Sequence, residues 1–338
     1  MLFDPFFLRG LHLKNRIIMA PMCQYSAEND GLPQPWHETH YVTRAVGQVG
    51  AIIIEATAVE PRGRISAKDL GLWDDNQIEP LSRIIKECQS HGCKVGIQIS
   101  HAGRKASIFN EPIVAPSSIP FNNKYQTPEE LNHANIEKII AAFSAAVQRA
   151  DQAGADFIEI HAAHGYLINQ FLSPLTNIRE DEYGQDRTLF LKQVLESVRQ
   201  QLSSDKPISV RISAEEYKAS GNHPQDFAEL LNPIKNLIDI IHISSGGVVD
   251  YTDISDFPGY QVKFSETIKE QLQLPTIAVG KIASPIHAEE ILRNKRADLV
   301  ALGRELLRNP YWALGSAKEL NASIDWPIQY FRAHTGFK

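Results

Sequence analysis

Eight short apolar runs recur along the chain, separated by longer stretches in which hydrophobic residues return every three or four positions. The runs are RIIMAPM (16–22), GAIIIEATAV (50–59), KVGIQIS (94–100), DFIEIHA (156–162), PISVRIS (207–213), IDIIHISS (238–245), PTIAVG (275–280) and ADLVALG (297–303). Near-continuous β-branched runs of this length mark parallel strands covered on both faces. Between them, IEPLSRIIKECQSHG sets Leu81, Ile84, Ile85 and Cys88 at helical spacing. NIEKIIAAFSAAVQRADQAG does the same with Ile136, Ile139, Ile140, Phe143 and Val147, and Gly154 supplies a stop. RTLFLKQVLESVRQQL, QDFAELLNPIKNL, FSETIKEQL and SPIHAEEILRNKR read as further helices. This alternation predicts an α/β fold, a (β/α)8 TIM barrel.

Two segments stand outside the alternation. Residues 1–15 read as an N-terminal β-hairpin that caps the bottom of the barrel. Residues 101–134, after the third strand, are rich in Pro, Asn and Ser, and a connection of that length is expected to serve as a lid over the mouth. No linker divides the chain, so residues 1–338 are expected to form one domain, ending in a tail over 321–338. The competing fold is a doubly wound open sheet. It needs a glycine-rich turn after an early strand, and MAPMCQYSAENDG contains no GxGxxG.

Composition narrows the function classes. A net charge of −6 with scattered Lys and Arg offers no general attraction to nucleic acid or anionic membranes. No unbroken apolar stretch is long enough to span a bilayer, and MLFDPFFLRG does not read as a signal peptide. Three cysteines, Cys23, Cys88 and Cys93, suit a reducing cytoplasm better than a disulfide framework. Cys88, His91 and Cys93 are close enough to suggest a metal, but without a fourth ligand nearby the reading is a helix end at Gly92.

In a barrel of this kind the active site lies at the C-terminal ends of the strands. Polar residues gather there: Cys23 and Tyr25 after the first strand, Gln98 with Arg104 and Lys105 around the third, and His161, His164 and Tyr166 after the fourth. Arg211 lies inside the fifth, Gly280 ends the seventh, and Gly303 with Arg304 follows the eighth. Barrel interiors are normally filled by Val, Ile and Leu, so this set argues for a polar ligand. Arg211 stays charged and needs an acceptor, either that ligand or Glu159 on the neighbouring strand. Gly280 and Gly303 allow close backbone approach, and Arg304 opens a helix, which suits a phosphate; glycines serving only tight turns are the alternative. His161 and His164 are spaced to donate hydrogen bonds to one oxygen that gains negative charge. Tyr166 is protonated at neutral pH and can supply a proton. The alternatives are satisfied core histidines, or a metal pair that lacks the acidic partner of HExxH.

LKNRIIMAPMCQYS, IQISHAGRK, IEIHAAHGYLINQFLSP with REDEYG, VRIS and DLVALGRELLRNP, in this order over nearly the whole chain, resemble the Old Yellow Enzyme family of FMN-dependent ene-reductases. The Cys of PMCQYS resembles its thermophilic-like bacterial subclass. The resemblance implies noncovalent FMN at the C-terminal face, reduced by NADPH or NADH. It implies an α,β-unsaturated carbonyl or nitro compound that takes a hydride at its β-carbon. His161 and His164 then bind the activating oxygen and Tyr166 protonates the α-carbon. Cys23 lies against the flavin and Tyr25 lines the substrate pocket. Pro21, Met22, Ala56, Gln98, Lys105 and Arg211 are implied around the flavin ring, with Arg211 at the N1/O2 edge, where reduction leaves negative charge. Gly280, Gly303 and Arg304 are implied at the phosphate. Arg332 matches an arginine that reaches a neighbouring subunit's site, which implies a homodimer or homotetramer. QDRTLF after DEYG is shorter than the family pattern and leaves the shape of that loop open. A flavin barrel acting on tRNA would need a basic face. A phosphate-binding isomerase or lyase would need a carboxylate or Lys base at a strand end.

Overall fold

Each of the eight apolar runs forms a strand in the computed structural model, which describes residues 1–108, 112–250 and 254–335. Part of the 101–134 connection (109–111) and the last three residues of the 321–338 tail lie outside the described residues. A hairpin comes first, β1 (Phe6–Leu8) and β2 (Leu11–Leu13), paired antiparallel. The barrel strands are β3 (Ile17–Met19), β4 (Ala51–Ala58), β5 (Lys94–Ser100), β8 (Phe157–Ala162), β9 (Ile208–Ser213), β10 (Ile240–Ser244), β11 (Thr276–Ala278) and β12 (Leu299–Leu302). Two short strands, β6 (Val114–Ala115) and β7 (Glu129–Glu130), pair with each other inside the long connection. The barrel closes in chain order, every neighbour parallel, with β12 returning to β3.

Side chains alternate along a strand, so every second residue points into the barrel. The floor is apolar: Ile18, Ile53, Phe157, Ile240, Ile277 and Leu299 meet Phe6, Leu11 and Leu13 of the hairpin in one buried cluster. The hairpin therefore caps the bottom, as the sequence predicts. Two residues further up β8, β9 and β10 the interior turns polar, with Glu159, Arg211 and His242, and Gln98 faces them from β5. The change from apolar floor to polar upper layer is what makes the C-terminal end a site.

Most helices fall where the periodicity puts them, among them Ile78–Ser90, His133–Gln152, Leu189–Gln201, Val262–Leu272 and Pro285–Arg293. Two differ. The expected continuous helix through QDFAELLNPIKNL stops at Leu231 and continues as a 3-10 turn over Asn232–Leu237. Pro233 has no N–H to continue the α pattern. A helix over Pro35–Val46, between β3 and β4, has no aliphatic stripe to announce it; its buried residues are His37, His40, Tyr41, Arg44 and Ala45. After DEYG the short loop is tied down by Arg187, which donates to Leu172 O (2.9 Å) and Asn222 Oδ1 (3.2 Å). Among the described residues no helix is long and apolar enough to cross a membrane.

Candidate active site

β8 delivers His161 to the top of the barrel, and the chain then reverses through two left-handed residues, His164 (φ 58°) and Gly165 (φ 71°). The reversal brings both imidazoles to one side. Ala163 N–H donates to His161 Nδ1 (3.2 Å), which leaves the ring's proton on Nε2. That Nε2 faces His164 Nδ1 at 3.3 Å, and His164 Nε2 faces Ser244 Oγ at 2.7 Å. The consistent assignment is a chain of donors running from His161 through His164 to Ser244. Tyr166 stands edge-on to His161, with ring centroids 4.9 Å apart. Burial, then the charge of Arg211, pushes both imidazoles well below their ordinary range, so they are neutral. Burial pushes the Tyr166 phenol up, so it keeps its proton.

The loop after β10 holds this turn in place. A side chain at Gly165 would lie 2.2 Å from Gly247 O, and one at Gly247 would lie 2.8 Å from the His164 Cα. Only two glycines allow the backbones to approach so closely. Ser213 Oγ accepts from His164 N–H (2.9 Å) and donates to Gly246 O (2.7 Å). Lys105 donates to His164 O (2.8 Å) and Gly247 O (3.1 Å), and burial lowers its pKa to about 8. Arg104, next to it, donates to Val248 O and to Ile119 O (3.2 Å), which links the 101–134 connection to the same loop.

On the other side of the mouth, Pro21, Met22, Cys23 and Tyr25 follow β3. Tyr25 is strained (φ 51°) and its side chain is exposed. Glu55 of β4, just before Ala56, accepts from Gln24 N–H (2.9 Å) and from the Tyr41 hydroxyl (2.7 Å). Burial raises Glu55 to about 7. Burial also raises the Cys23 thiol, with Asp69 and Glu55 adding to it, so the sulfur stays protonated. Deeper in the barrel, Gln98 Nε2 donates to Glu159 Oε1 (2.8 Å).

A cavity of about 400 Å³ is lined among others by Arg211, Tyr260, Gln261, Gly280, Lys281, Gly303, Arg304, Arg308 and Ser244, the partner of His164. Gly280 has φ +126°, a conformation that L side chains rarely adopt. Lys281 is paired with Asp256 (2.6 Å) and Arg308 with Glu305 (2.7 Å), and no such bridge involves Arg304 among the described residues. The helix that Arg304 opens is only five residues long, so its dipole adds little and the side chain itself carries the positive charge. Of the expected residues, Arg211, Gly280, Gly303 and Arg304 line this cavity, His161, His164 and Tyr166 form one ring cluster, and Ser244 joins the two by lining the cavity and meeting His164. Arg332 lies on the exposed C-terminal helix Phe331–Thr335, outside the cavity lining. Sequence reasoning did not single out Glu55, Tyr260, Gln261 or Arg308. Tyr260 and Gln261 come from an irregular stretch with no periodicity to place them.

The family model described as the NADH:flavin oxidoreductase / NADH oxidase family matches residues 1–322. The chain belongs to this family, the Old Yellow Enzyme family. An NADPH dehydrogenase of Clostridium acetobutylicum is 52% identical over 336 residues, covering 98% of this chain and 99% of that protein. Among solved structures, morphinone reductase superposes with a TM-score of 0.81 at 26% identity, covering 96% of this chain and 91% of its own. A 2-naphthoyl-CoA reductase shares the fold (TM-score 0.88, 21% identity), and this chain spans about half of its length, 52%. The Old Yellow Enzyme cofactor is a flavin, and the residues present fit one. Buried Arg211 Nε and Ser100 Oγ have no hydrogen-bond partner among the described residues. Arg304 and Gly280 line the cavity and offer the positive charge and close backbone that suit a phosphate.

Proposed function

We propose that this Old Yellow Enzyme is an FMN-dependent, NADPH- or NADH-oxidising reductase of activated C=C bonds. Its substrates are α,β-unsaturated carbonyl or nitro compounds. The observation that carries this reading is the convergence of two neutral imidazoles and a protonated phenol at the end of β8, beside a cationic cavity. FMN, when bound, supplies the hydride chemistry.

The chain's own residues do the rest. Gly280, Gly303 and Arg304 hold the phosphate. Pro21, Met22, Ala56, Gln98, Lys105 and Arg211 surround the ring, and Arg211 answers negative charge at its pyrimidine edge. His161 and His164 donate hydrogen bonds to the substrate's carbonyl or nitro oxygen. To do so His161 gives up its contact with His164, and His164 takes the other tautomer, with its proton on Nδ1 for the oxygen and the Ser244 hydroxyl donating to its Nε2. Neutral rings suit this role, because they stabilise a developing oxyanion without first protonating the substrate. Tyr166 delivers the proton to the α-carbon. Cys23, as a thiol, presents a soft, uncharged dipole to the flavin, and Tyr25 lines the substrate side. The 101–134 connection acts as a lid, anchored through Arg104 and Lys105. Arg332 completes the site of a neighbouring subunit in a homodimer or homotetramer.

The deciding experiment is a visible spectrum of the purified protein under anaerobic conditions. Flavin bands that bleach with NADPH and return with 2-cyclohexenone are the expected result. Bleaching without recovery would reject the alkene substrate. A protein that neither carries nor rebinds FMN would reject the whole reading.

A further inference from the structure

We propose that Glu159 is a positioning residue for the flavin: it sets which end of the Gln98 amide meets the ring, and its charge offsets that of Arg211 at the ring's pyrimidine edge. The inference rests on the FMN reading above.

Glu159 lies midway up β8, between the floor residue Phe157 and the site residue His161, and has no solvent exposure. At this level a barrel interior is ordinarily aliphatic. A carboxylate there is tolerated only if donors enclose it. Three do: Gln98 Nε2 reaches Oε1 (2.8 Å), and Ser209 Oγ (3.1 Å) and His242 Nδ1 (2.8 Å) reach Oε2. They come from β5, β9 and β10, so one side chain ties four strands together.

The charge states follow from the surroundings. Burial opposes ionisation of Glu159, but the hydrogen bonds from His242 and Ser209 and the charge of Arg211 favour it, and the carboxyl sits below the usual range. His242 is pushed down by burial and stays neutral. The permanent positive charge acting on Glu159 is Arg211, two residues above Ser209 on the neighbouring β9, and its Nε has no hydrogen-bond partner among the described residues.

Two consequences reach the flavin. An ionised carboxylate can only accept, so Gln98 must turn its NH2 toward Glu159. The Gln98 carbonyl is then the end left to accept from the single imide N–H of the flavin's pyrimidine ring. With the amide reversed, two donors would face each other. Second, reduction puts negative charge at the edge that Arg211 faces. The Glu159 charge opposes that reduction, so removing it favours the reduced flavin.

The test uses the intact holoenzyme and two variants. Glu159→Gln removes the charge and keeps an acceptor for Gln98. It is expected to shift the ratio of oxidised to reduced FMN dissociation constants about tenfold toward the reduced form, read as a rise in midpoint potential of about 30 mV for a two-electron couple. Glu159→Asp keeps the charge but draws the carboxylate back from Gln98. It is expected to weaken binding of oxidised FMN, titrated into apoprotein by fluorescence quenching, by about tenfold with little change in potential. If Glu159→Gln matches the wild type in potential, the charge role is overturned. If Glu159→Asp matches it in FMN affinity, the orientation role is overturned, and this variant also decides the matter should the glutamine variant not fold. Wild-type protein that does not bind FMN would instead remove the reading on which the inference stands.

Discussion

The roles proposed for Tyr166 and the two histidines are separable by experiment. Tyr166→Phe is expected to slow reoxidation by an enone by about a hundredfold or more, the usual range for loss of a general acid, while leaving flavin reduction by NADPH intact. Stopped-flow measurement of the two half-reactions checks this, and equal losses in both would assign the phenol elsewhere. His161→Ala and His164→Ala are each expected to weaken binding of a simple phenol, monitored by the flavin charge-transfer band; unchanged affinity in both would remove their role. Glu60 supplies a pH prediction. Burial works against its charge, but hydrogen bonds from His101 and Arg62 outweigh this and lower its pKa from 4.5 to about 2. A depressed acid stabilises the fold above its unfolded pKa and loses that contribution as pH falls toward its folded pKa. Glu60→Gln should therefore cost on the order of 2–3 kcal/mol at neutral pH and flatten the loss of stability between about pH 4.5 and 2. Thermal midpoints measured across that range provide the check. At this scale the sequence offered the candidate groups because strand ends are readable. Glu55 escaped notice because nothing local says that Gln24 and Tyr41 will meet it.

At the scale of elements, the eight strands were legible because each is a short β-branched run buried on both faces. The helix Pro35–Val46 was not, because its inward face is built from His37, His40, Tyr41 and Arg44 rather than a leucine stripe. The small β6–β7 pair was also hidden: two residues per strand carry no periodicity. Two variants test elements by their separate jobs. Leu13→Ala, in the capping hairpin, should cost about 2–5 kcal/mol by opening a cavity at the barrel floor. Its thermal midpoint should fall with no change in FMN affinity, since the cluster it joins is at the opposite end from the site. Gly247→Ala should do the reverse. Its added carbon presses on His164, so phenol affinity should drop more than the thermal midpoint does. A variant that binds phenol normally would show that the loop after β10 does not hold the histidine turn.

For the whole molecule, the proposed homodimer or homotetramer is tested through Arg332. If Arg332 acts in a neighbouring site, mixing Arg332→Ala with Tyr166→Phe protein restores activity. In a hybrid pair one site has an intact Tyr166 and receives Arg332 from its partner. Subunit exchange followed by an enone assay, with light scattering to give the assembly size, reads this out. No recovery would place Arg332 outside catalysis. The sequence by itself determined the barrel and its capped floor and set the candidate polar groups at the strand ends, because hydrophobic period and residue type are local properties. Only the tertiary structure decided how these groups face one another. The link from His161 through His164 to Ser244 and the Gly165–Gly247 approach depend on strand stagger and loop path. So does the enclosure of Glu159 by donors from three other strands. Those contacts join residues tens of positions apart, and only closure of the barrel brings them within hydrogen-bonding distance.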